Sequence, residues 1–379
     1  MHSGGFGLRK RGGWARAIGM WAAMFSALMV GAAQRTQEPN PELRERPPAK
    51  PAPAPSVIER EGKIQLDVVV TDAAGVPIAG LQPWDFKILD DDQARRVLTF
   101  HAFNGTAVKP DPPVEVILML DMVNLSFQQV AFVRQQVEQY LREDGGRLKQ
   151  PVAIMLITDR GLQIQRAATL DGNAQARVVQ EIKGSVSSIN AAMGGDGLVE
   201  RFQLSVKHLE TIAENEARVP GRKLLIWVGP GWPILNGPRL GSQKKDRRRY
   251  FDGIVELSTR LREARLAVYS VSPQDASLDS GLRTQMYRDF LKGVKNPEQA
   301  DSGNLALKVL ASQTGGLILG PDNDVAGQIA RCVEDANRFY RISFDPPRAE
   351  HVDEYHELHV VVNKPGVTVR TNSGYYNEP

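Results

Sequence analysis

The sequence is poor in cysteine, since Cys332 is the single cysteine among 379 residues. One thiol cannot form an intramolecular disulfide, and it excludes a cysteine-based zinc site or an iron–sulfur cluster. Cys332 falls on an apolar stripe of helical spacing, so we predict a small buried core residue and not a nucleophile.

A surplus of charge is also missing. The chain has 47 Lys and Arg against 44 Asp and Glu, a formal charge of +3. Four of the basic residues lie in the first 33 positions, which carry no acidic residue, so the remainder has 43 against 44 and a net charge of −1. A dedicated nucleic-acid binder needs a surplus of Lys and Arg to neutralise phosphates, so we predict no nucleic-acid partner.

The motifs of several common enzyme classes are missing as well. There is no GxxxxGK[ST] phosphate loop and no GxSxG nucleophile elbow. Gly194, Gly195 and Gly197 do not follow a strand pattern, which leaves a dinucleotide site unsupported. Three of the six histidines lie between residues 351 and 359 among acidic residues, but His356 and His359 would point to opposite faces of a strand. We therefore predict a solvated strand edge there and no metal ligands; a metal site is the alternative.

The N-terminus has the pattern of a secretory signal peptide. Residues 1–16 are basic, and residues 17–33 are uncharged and end in Gly31 and Ala33 just before Gln34. We predict cleavage there and a secreted or periplasmic protein with no membrane span after cleavage. An uncleaved membrane anchor is the alternative, because 17 residues are marginal for crossing ~30 Å of hydrocarbon.

Residues 34–56 contain seven prolines and almost no large apolar side chains. Such a segment cannot bury enough apolar surface to become ordered, so we predict an extended, disordered linker. A proline-rich ligand for a partner domain is the alternative interpretation.

Two segments of the chain, 57–106 and 339–379, show the alternation of β-strands. Each predicts three strands, too few to cover an apolar face alone, so we predict that the two segments pack together as a small β-sandwich. The side chains expected to share its core are Trp84, Phe86, Ile88, Ile342, Phe344, Val360 and Val362.

The intervening segment, 113–338, alternates short apolar runs with helical patterns. The strand candidates are 114–121, 152–158, 223–229, 266–270 and 316–319, with 163–168 as a short antiparallel edge strand. Continuous apolar runs are typical of parallel strands covered on both faces, so we predict a doubly wound, mostly parallel α/β domain of Rossmann type, inserted between the two β segments.

Polar residues follow the first strand of this domain. Asp121 ends the run VEVILMLD, and Asn124 and Ser126 come just after it. In open α/β sheets ligands bind at the carboxyl ends of the strands. Ser126 also has a structural interpretation, because Ser126-x-x-Gln129 fits a helix-capping box.

This strand and loop resemble the von Willebrand factor type A domain. In that family an Asp-x-Ser-x-Ser loop, a threonine and a second aspartate bind a divalent ion, the metal-ion-dependent adhesion site. Asp121 matches, but Val123 and Leu125 occupy the next two ligand positions, and Gly229 begins a Gly-Pro-Gly where the family has Thr-Asp-Gly.

The resemblance therefore implies a degenerate adhesion site that binds Mg²⁺ or Ca²⁺ weakly at Asp121 or not at all. Residues in the stretch of the family's second loop are Ser187, Ser188, Asn190 and Asp196.

A longer resemblance covers residues 57–379. The runs GLQPWDFKILDD, FYRISFDPP and VTVRTNSGYY, together with the divergent type A segment, resemble the von Willebrand factor A-related acidobacterial domain family. This resemblance implies a secreted protein with the fold described above, and it implies no reaction.

A basic run lies just before a predicted helix. It comprises Lys244, Lys245, Arg247, Arg248 and Arg249, and Trp232 lies in the preceding loop. A run of this kind is either a solvated loop or, with the aromatic residue, a surface for an anion or an acidic partner.

Two function classes remain. The first is a non-catalytic binding or adhesion module that uses the carboxyl-end face of the α/β domain on a protein or an envelope glycan. The alternative is an extracytoplasmic hydrolase with Asp121, Asp159 or Asp196 as acid/base groups. The sequence supplies no nucleophile, base and orienting group that belong together, so binding is the preferred hypothesis.

Overall fold

The computed structural model describes residues 63–105, 108–182, 194–232, 244–274 and 287–379. The predicted signal peptide and linker lie outside these ranges, as do Ser187, Ser188 and Asn190. Among the helices in these ranges, none combines the length and the hydropathy that a membrane span requires.

The described residues form fourteen strands and six α-helices. The strands are β1 (Ile64–Thr71), β2 (Phe86–Asp90), β3 (Gln93–Arg95), β4 (Thr99–Asn104), β5 (Glu115–Asp121), β6 (Arg147–Thr158), β7 (Gly161–Asp171), β8 (Lys223–Val228), β9 (Leu266–Pro273), β10 (Ile318–Asp322), β11 (Arg338–Phe344), β12 (Glu354–Val362), β13 (Thr368–Arg370) and β14 (Gly374–Asn377). The helices are α1 (Phe127–Arg142), α2 (Gly172–Glu181), α3 (Gly194–Glu216), α4 (Lys244–Glu263), α5 (Leu307–Gln313) and α6 (Val325–Asn337).

A six-stranded sheet forms the centre of the α/β unit, in the order β10-β9-β8-β5-β6-β7. Five strands are parallel, and β7 pairs antiparallel with β6 at the edge, as predicted for residues 163–168. Helices α1, α2 and α6 pack in one apolar core and α3, α4 and α5 in another. The apolar runs are buried because helices cover both faces of the sheet, which confirms the doubly wound fold.

Two antiparallel four-stranded sheets form the β-sandwich, in the orders β13-β1-β11-β4 and β14-β12-β2-β3. Strands from before and after the α/β unit are neighbours in both sheets: Ile64 lies opposite Phe344, and Ile88 lies opposite Val360. All four of these side chains belong to one buried apolar cluster. The predicted sandwich built from the two flanking segments is therefore confirmed.

The predicted core contained one wrong residue, Trp84, whose side chain is 78% exposed. Trp84 lies in a short 3-10 turn, Pro83–Asp85, and β2 begins only at Phe86. Phe86 and Ile88 therefore alternate as residues of a strand, whereas Trp84 precedes that strand and does not share its orientation. Each flanking segment also contributes four strands and not three.

Two ionic contacts connect the sandwich to the α/β unit, one half-buried and the other with a buried carboxylate. Asp67 of β1 accepts hydrogen bonds from Nη2 of Arg265 at 2.7 Å and from its Nε at 3.1 Å. On α6, Asp335 accepts from the hydroxyl of Tyr269 and from Nη2 of Arg370, each at 2.8 Å. Because these groups are paired and largely shielded from water, they hold the two parts in one relative position.

Candidate functional site

Asp121 ends β5 at the place where the winding of the sheet reverses, between β5 and β8. In open α/β sheets this crevice is where ligands bind. Here Asp121 is fully buried, and Val123 and Leu125, which replace two ligand positions of the type A loop, are buried beside it. The crevice is filled by side chains.

The carboxylate of Asp121 is surrounded by hydrogen-bond donors. Its Oδ1 accepts from the backbone nitrogens of Val123 at 3.2 Å and Asn124 at 3.0 Å. Its Oδ2 accepts from Nδ2 of Asn124 and from the indole nitrogen of Trp227, both at 2.9 Å. Burial raises the pKa of Asp121, and the hydrogen bonds from Asn124 and Trp227 partly offset this rise.

Gly229 stands at the threonine position of the Thr-Asp-Gly that the sequence resemblance predicts after β8, and Pro230 stands at the aspartate position. A Cβ atom at residue 229 would lie 2.8 Å from Cβ of Asp121, closer than two such carbons approach. The end of β8 therefore has no room for a threonine at residue 229. The close approach of β5 and β8 thus explains the glycine, and the carboxylate is missing because residue 230 is a proline.

Asn124 and Ser126 have structural partners. Nδ2 of Asn124 also donates to Ser205 of α3 at 3.1 Å, which connects the loop after β5 to the other face of the sheet. Ser126 is the N-cap of α1: its hydroxyl accepts from the backbone nitrogen of Gln129, whose Oε1 accepts from the Ser126 nitrogen. The capping box anticipated from the sequence is present.

The other acidic candidates are not assembled with Asp121. Asp159 lies in the turn between β6 and β7, and Asp196 is exposed in the first turn of α3. The hydrogen-bond partners of Asp121 within the described residues include no carboxylate. Asp121 is therefore buried among neutral hydrogen-bond donors.

Trp232 does not lie on the surface predicted for it, because it is buried with 6% exposure. Its indole nitrogen donates to the carbonyl of Leu305 at 2.9 Å, and its ring meets Trp227 edge-on at 4.8 Å. The segment after β8 folds back and uses this ring to cover the end of the strand. The predicted pairing of an exposed tryptophan with the basic run is wrong.

The basic run forms the start of α4. Lys244 and Lys245 are its first two residues, and their side chains lie outside the described part. Arg247, Arg248 and Arg249 are exposed. Nη1 of Arg247 donates to the carbonyl of Glu298 at 3.2 Å, and Nε of Arg248 lies 2.8 Å from a carboxylate oxygen of Asp252.

A cleft of about 510 Å³ lies where the start of α4 meets the sandwich. Arg248 and Lys295 contribute positive charge to its α/β wall, and Asp353 and Glu354 contribute negative charge to its sandwich wall. The sequence did not predict this cleft, because its lining comes from separate stretches of the chain, at residues 91, 248, 251, 295–297 and 351–355, with no shared motif.

The histidine cluster is only partly as predicted. His359 is 54% exposed at its side chain and lies near Glu357, as expected for a solvated edge. His356 points the other way, as the strand period required, but it is buried and faces Asp90 and Asp91 of the sandwich. Nothing in the sequence around His356 signals these partners, which lie on the far side of the α/β unit in the chain.

No family model and no curated protein matches the sequence. Solved structures resemble the fold at low similarity. A von Willebrand factor type A protein from Catenulispora acidiphila has 11% identity and a TM-score of 0.31, covering 84% of this chain and 75% of that chain. BatB from Bacteroides thetaiotaomicron has 12% identity and a TM-score of 0.29, covering 59% and 98% respectively.

The pilus adhesin SpaC from Lactobacillus rhamnosus GG has 10% identity and a TM-score of 0.35, and the match covers 80% of this chain and 49% of the adhesin. The structural neighbours thus include von Willebrand factor type A proteins. The doubly wound α/β unit carried on a β-sandwich is observed in the strand order of this chain itself. Similarity at this level does not identify a site. The resemblance to the acidobacterial family stays a prediction.

Proposed function

We propose that the chain is an exported, non-catalytic binding module that holds an acidic protein partner at the start of α4. The observation that carries the proposal is the placement of Arg247, Arg248 and Arg249 in the first turns of this helix. A positive charge in the first turn of a helix is disfavoured by the helix dipole, by about 0.3–1 kcal/mol, and this turn holds Lys244, Lys245 and Arg247. Arg248 and Arg249 extend the charge into the second turn, and the exposed arginines form a positive surface that attracts an acidic partner.

An apolar anchor lies at the same end of the sheet. Phe127, the first residue of α1, has a 60% exposed side chain, and both α1 and α4 begin after strands that end at the carboxyl-end face. Exposed aromatic and arginine side chains are the residue types enriched at the centres of protein–protein interfaces. Phe127 and the arginines of α4 are therefore the side chains that we expect a partner to contact.

The state of Asp121 supports binding over hydrolysis. A general acid or base must come within hydrogen-bond reach of the substrate. Asp121 has no exposed surface, and its oxygens already accept from Asn124 and Trp227. The hydrolase alternative would need Asp159 or Asp196 to act without it, and the sequence supplies no nucleophile, base and orienting group that belong together.

Pull-down from envelope extracts tests the proposal with charge-matched variants. The test variant carries Arg247→Glu, Arg248→Glu and Arg249→Glu, and the control carries the same number of reversals at the exposed residues Arg177, Lys207 and Arg218. We expect the test variant to lose at least about tenfold in affinity for a salt-eluted protein partner, because the charged contacts are reversed, and the control to retain it.

The same experiment with Phe127→Ala separates an interface from simple charge attraction. An anchored partner loses affinity on this change, whereas a partner held only by diffuse charge does not. Equal retention of all captured proteins by the wild type and the triple arginine variant would contradict the proposal. Capture of material that resists protease and is removed by glycosidases would instead identify a glycan partner.

A further inference from the structure

A two-residue turn places two acidic side chains at one end of the sandwich. Asp90 and Gln93 are paired at the end of the β2–β3 hairpin, and Asp91 and Asp92 form the turn with φ of 47° and 63°. Positive φ at both positions is what a type I′ turn requires, and Asn-Gly is the usual solution. Two aspartates in this conformation are unfavourable locally and point to a role beyond the turn.

His356 of β12 faces these carboxylates. Its Nδ1 lies 3.2 Å from Oδ1 of Asp90 and 2.9 Å from Oδ2 of Asp91. His356 is 5% exposed and Asp90 is fully buried. Neither approach has hydrogen-bond geometry, so both ring nitrogens of His356 and Oδ1 of Asp90 are buried without a hydrogen-bond partner. Unsatisfied buried polar atoms are rare in folded proteins, and here two of them face each other.

The remaining carboxylate oxygens are held by other groups. Oδ2 of Asp90 accepts from Nε of Arg95 and from the hydroxyl of Tyr375, each at 3.1 Å. Oδ1 of Asp91 accepts from the backbone nitrogen of Glu357 at 3.1 Å. The ring of Tyr375 also stacks on His356, with centroids 5.0 Å apart and planes 12° apart. In each carboxylate, hydrogen bonds to one oxygen fix the orientation of the group, and the other oxygen faces the imidazole of His356. Metal-ligating carboxylates are commonly held in this way by hydrogen bonds from surrounding groups.

We propose that Asp90, Asp91 and His356 bind a Zn²⁺ ion through Oδ1, Oδ2 and Nδ1. Imidazole nitrogen and carboxylate oxygen bind Zn²⁺ at about 2.0–2.2 Å, which places neighbouring ligand atoms about 2.9 Å apart at 90° and about 3.3 Å apart at the tetrahedral angle. The measured separations of 3.2 and 2.9 Å from Nδ1 fall in this interval, and the three ligand atoms all lie within 4.8 Å of one another.

Three protein ligands leave one position of a tetrahedral zinc ion open. Asp91 is the exposed member of the set, with a side chain 43% exposed, and it lines the cleft next to α4. The open position therefore faces the cleft, where water or a donor group from a bound molecule completes the coordination. The site goes beyond the proposed partner binding and requires no partner to form.

The ion would join two parts of the chain that are distant in sequence. Asp90 and Asp91 precede the α/β unit, and His356 follows it. Because a metal ion that binds the folded state and not the unfolded chain stabilises the folded state by mass action, Zn²⁺ should raise the melting temperature of the sandwich.

Calorimetric titration of the purified full chain with ZnCl₂, after treatment with a chelator, tests the site. Asp91→Asn removes a charged ligand but tolerates the positive φ of the turn, and His356→Phe removes the nitrogen but keeps a ring to stack on Tyr375. His359→Ala is the matched control, because it removes an exposed histidine from the same strand. Asp92→Asn is the control for the turn.

We expect the wild type and both controls to bind Zn²⁺ with a matching rise in melting temperature. Asp91→Asn and His356→Phe should each weaken this binding by at least about tenfold, since loss of an orienting outer group alone costs 10–100-fold. If His356→Phe does not fold, Asp91→Asn decides. Absence of Zn²⁺ binding in the wild type, or equal binding by Asp91→Asn, would overturn the proposal and leave a histidine–carboxylate ion pair.

The triple arginine variant at residues 247–249 separates this site from partner binding. It should bind Zn²⁺ at least as tightly as the wild type, because no arginine of α4 is a ligand and the change at Arg248 removes a positive charge from the cleft. Failure of the metal site and failure of the partner surface are thus observed in different measurements.

Discussion

The indole nitrogen of Trp227 donates a hydrogen bond to Oδ2 of Asp121 at 2.9 Å, between neighbouring strands β8 and β5. In a type A adhesion site a carboxylate at this place would face a metal ion. Here the indole N–H of Trp227 points the positive end of its dipole at the carboxylate, and Asn124 supplies two further donors. Asp121, the candidate ligand in the sequence, is part of the buried core.

We expect Trp227→Phe to destabilise the protein more than Trp232→Phe. Both changes shorten a buried ring, but Trp227 donates to a carboxylate and Trp232 to a neutral carbonyl. Hydrogen bonds to charged groups contribute about 1.5–3 kcal/mol and neutral ones about 0.5–1.5 kcal/mol. Urea unfolding at neutral pH measures the difference. Equal losses would mean that the Asp121 carboxyl is neutral in the folded protein.

Asp121 should not bind Mg²⁺ or Ca²⁺ tightly. An ion would have to displace the backbone nitrogens of Val123 and Asn124, and Gly229-Pro230 after β8 supplies no second carboxylate to compensate. We expect dissociation constants weaker than about 1 mM in calorimetric titrations with each ion. Binding in the micromolar range that Asp121→Asn abolishes would show that the loop rearranges into a working site.

The Asp67–Arg265 contact should make stability depend on pH. Burial favours the neutral acid, but Arg265, Arg222 and Arg341 outweigh it and hold the pKa of Asp67 below its usual value. A carboxyl with a lowered folded-state pKa stabilises above its unfolded pKa of about 3.9 and loses this contribution as pH falls through the folded value.

Asp67→Asn should therefore cost about 1.5–3 kcal/mol at neutral pH, because charged hydrogen bonds with Arg265 are lost at a half-buried site, and this deficit should shrink below about pH 4. Thermal unfolding of both proteins across that range measures it. Glu334→Gln, which breaks an exposed pair with Lys149, is the control and should cost less than about 1 kcal/mol at neutral pH. A deficit for Asp67→Asn that does not change with pH would contradict this account.

Deletion of residues 345–379 should unfold the hairpin of β2 and β3. The deletion removes β12, which pairs with β2 from Phe86 to Asp90. Hydrogen exchange should show loss of protection in β2, while β5 and β8 in the central sheet stay protected. Trp84 fluorescence cannot report this change, because the ring is already exposed. Retained protection of β2 would mean that the N-terminal segment folds without its partner.

The mature protein should begin at Gln34 or within a few residues of it. Residues 17–33 are short for a membrane anchor and end in small side chains, as signal peptidase requires. Intact-mass measurement on exported protein tests this prediction. Recovery of the full-length chain from membranes would favour the anchor instead.

The elements that the sequence predicted best are those in which the spacing of apolar residues alone decides which side chains are buried. The apolar runs of β5 and β8 and the stripe that includes Cys332 appear where expected, because both faces of the sheet and one face of each helix are covered. The prediction for Trp84 is wrong because Pro83 starts a 3-10 turn. Trp84 is two residues before Phe86, as strand alternation requires, but it lies in this turn and outside β2.

The contacts at Asp121 and His356 were not predictable in the same way. Whether Asp121 meets a metal ion or an indole depends on the path of the loop after β8, which places Trp232 over Trp227. Whether His356 is solvated depends on which strand pairs with β12. That strand is β2, which precedes β12 by about 260 residues in the sequence. Period and composition carry no information about such pairings.

The α/β unit leaves the sandwich after β4 and returns through β11, and these strands are hydrogen-bonded neighbours with Asn104 opposite Arg338. Tension applied between Lys63 and Pro379 is therefore carried by the sandwich. The hydrogen bonds between β4 and β11 join the two ends of the α/β unit, so the force bypasses that unit. A pulling force must therefore separate paired β-strands of the sandwich before it acts on α4. The proposed partner surface at the start of α4 would keep its structure at forces that already deform the sandwich.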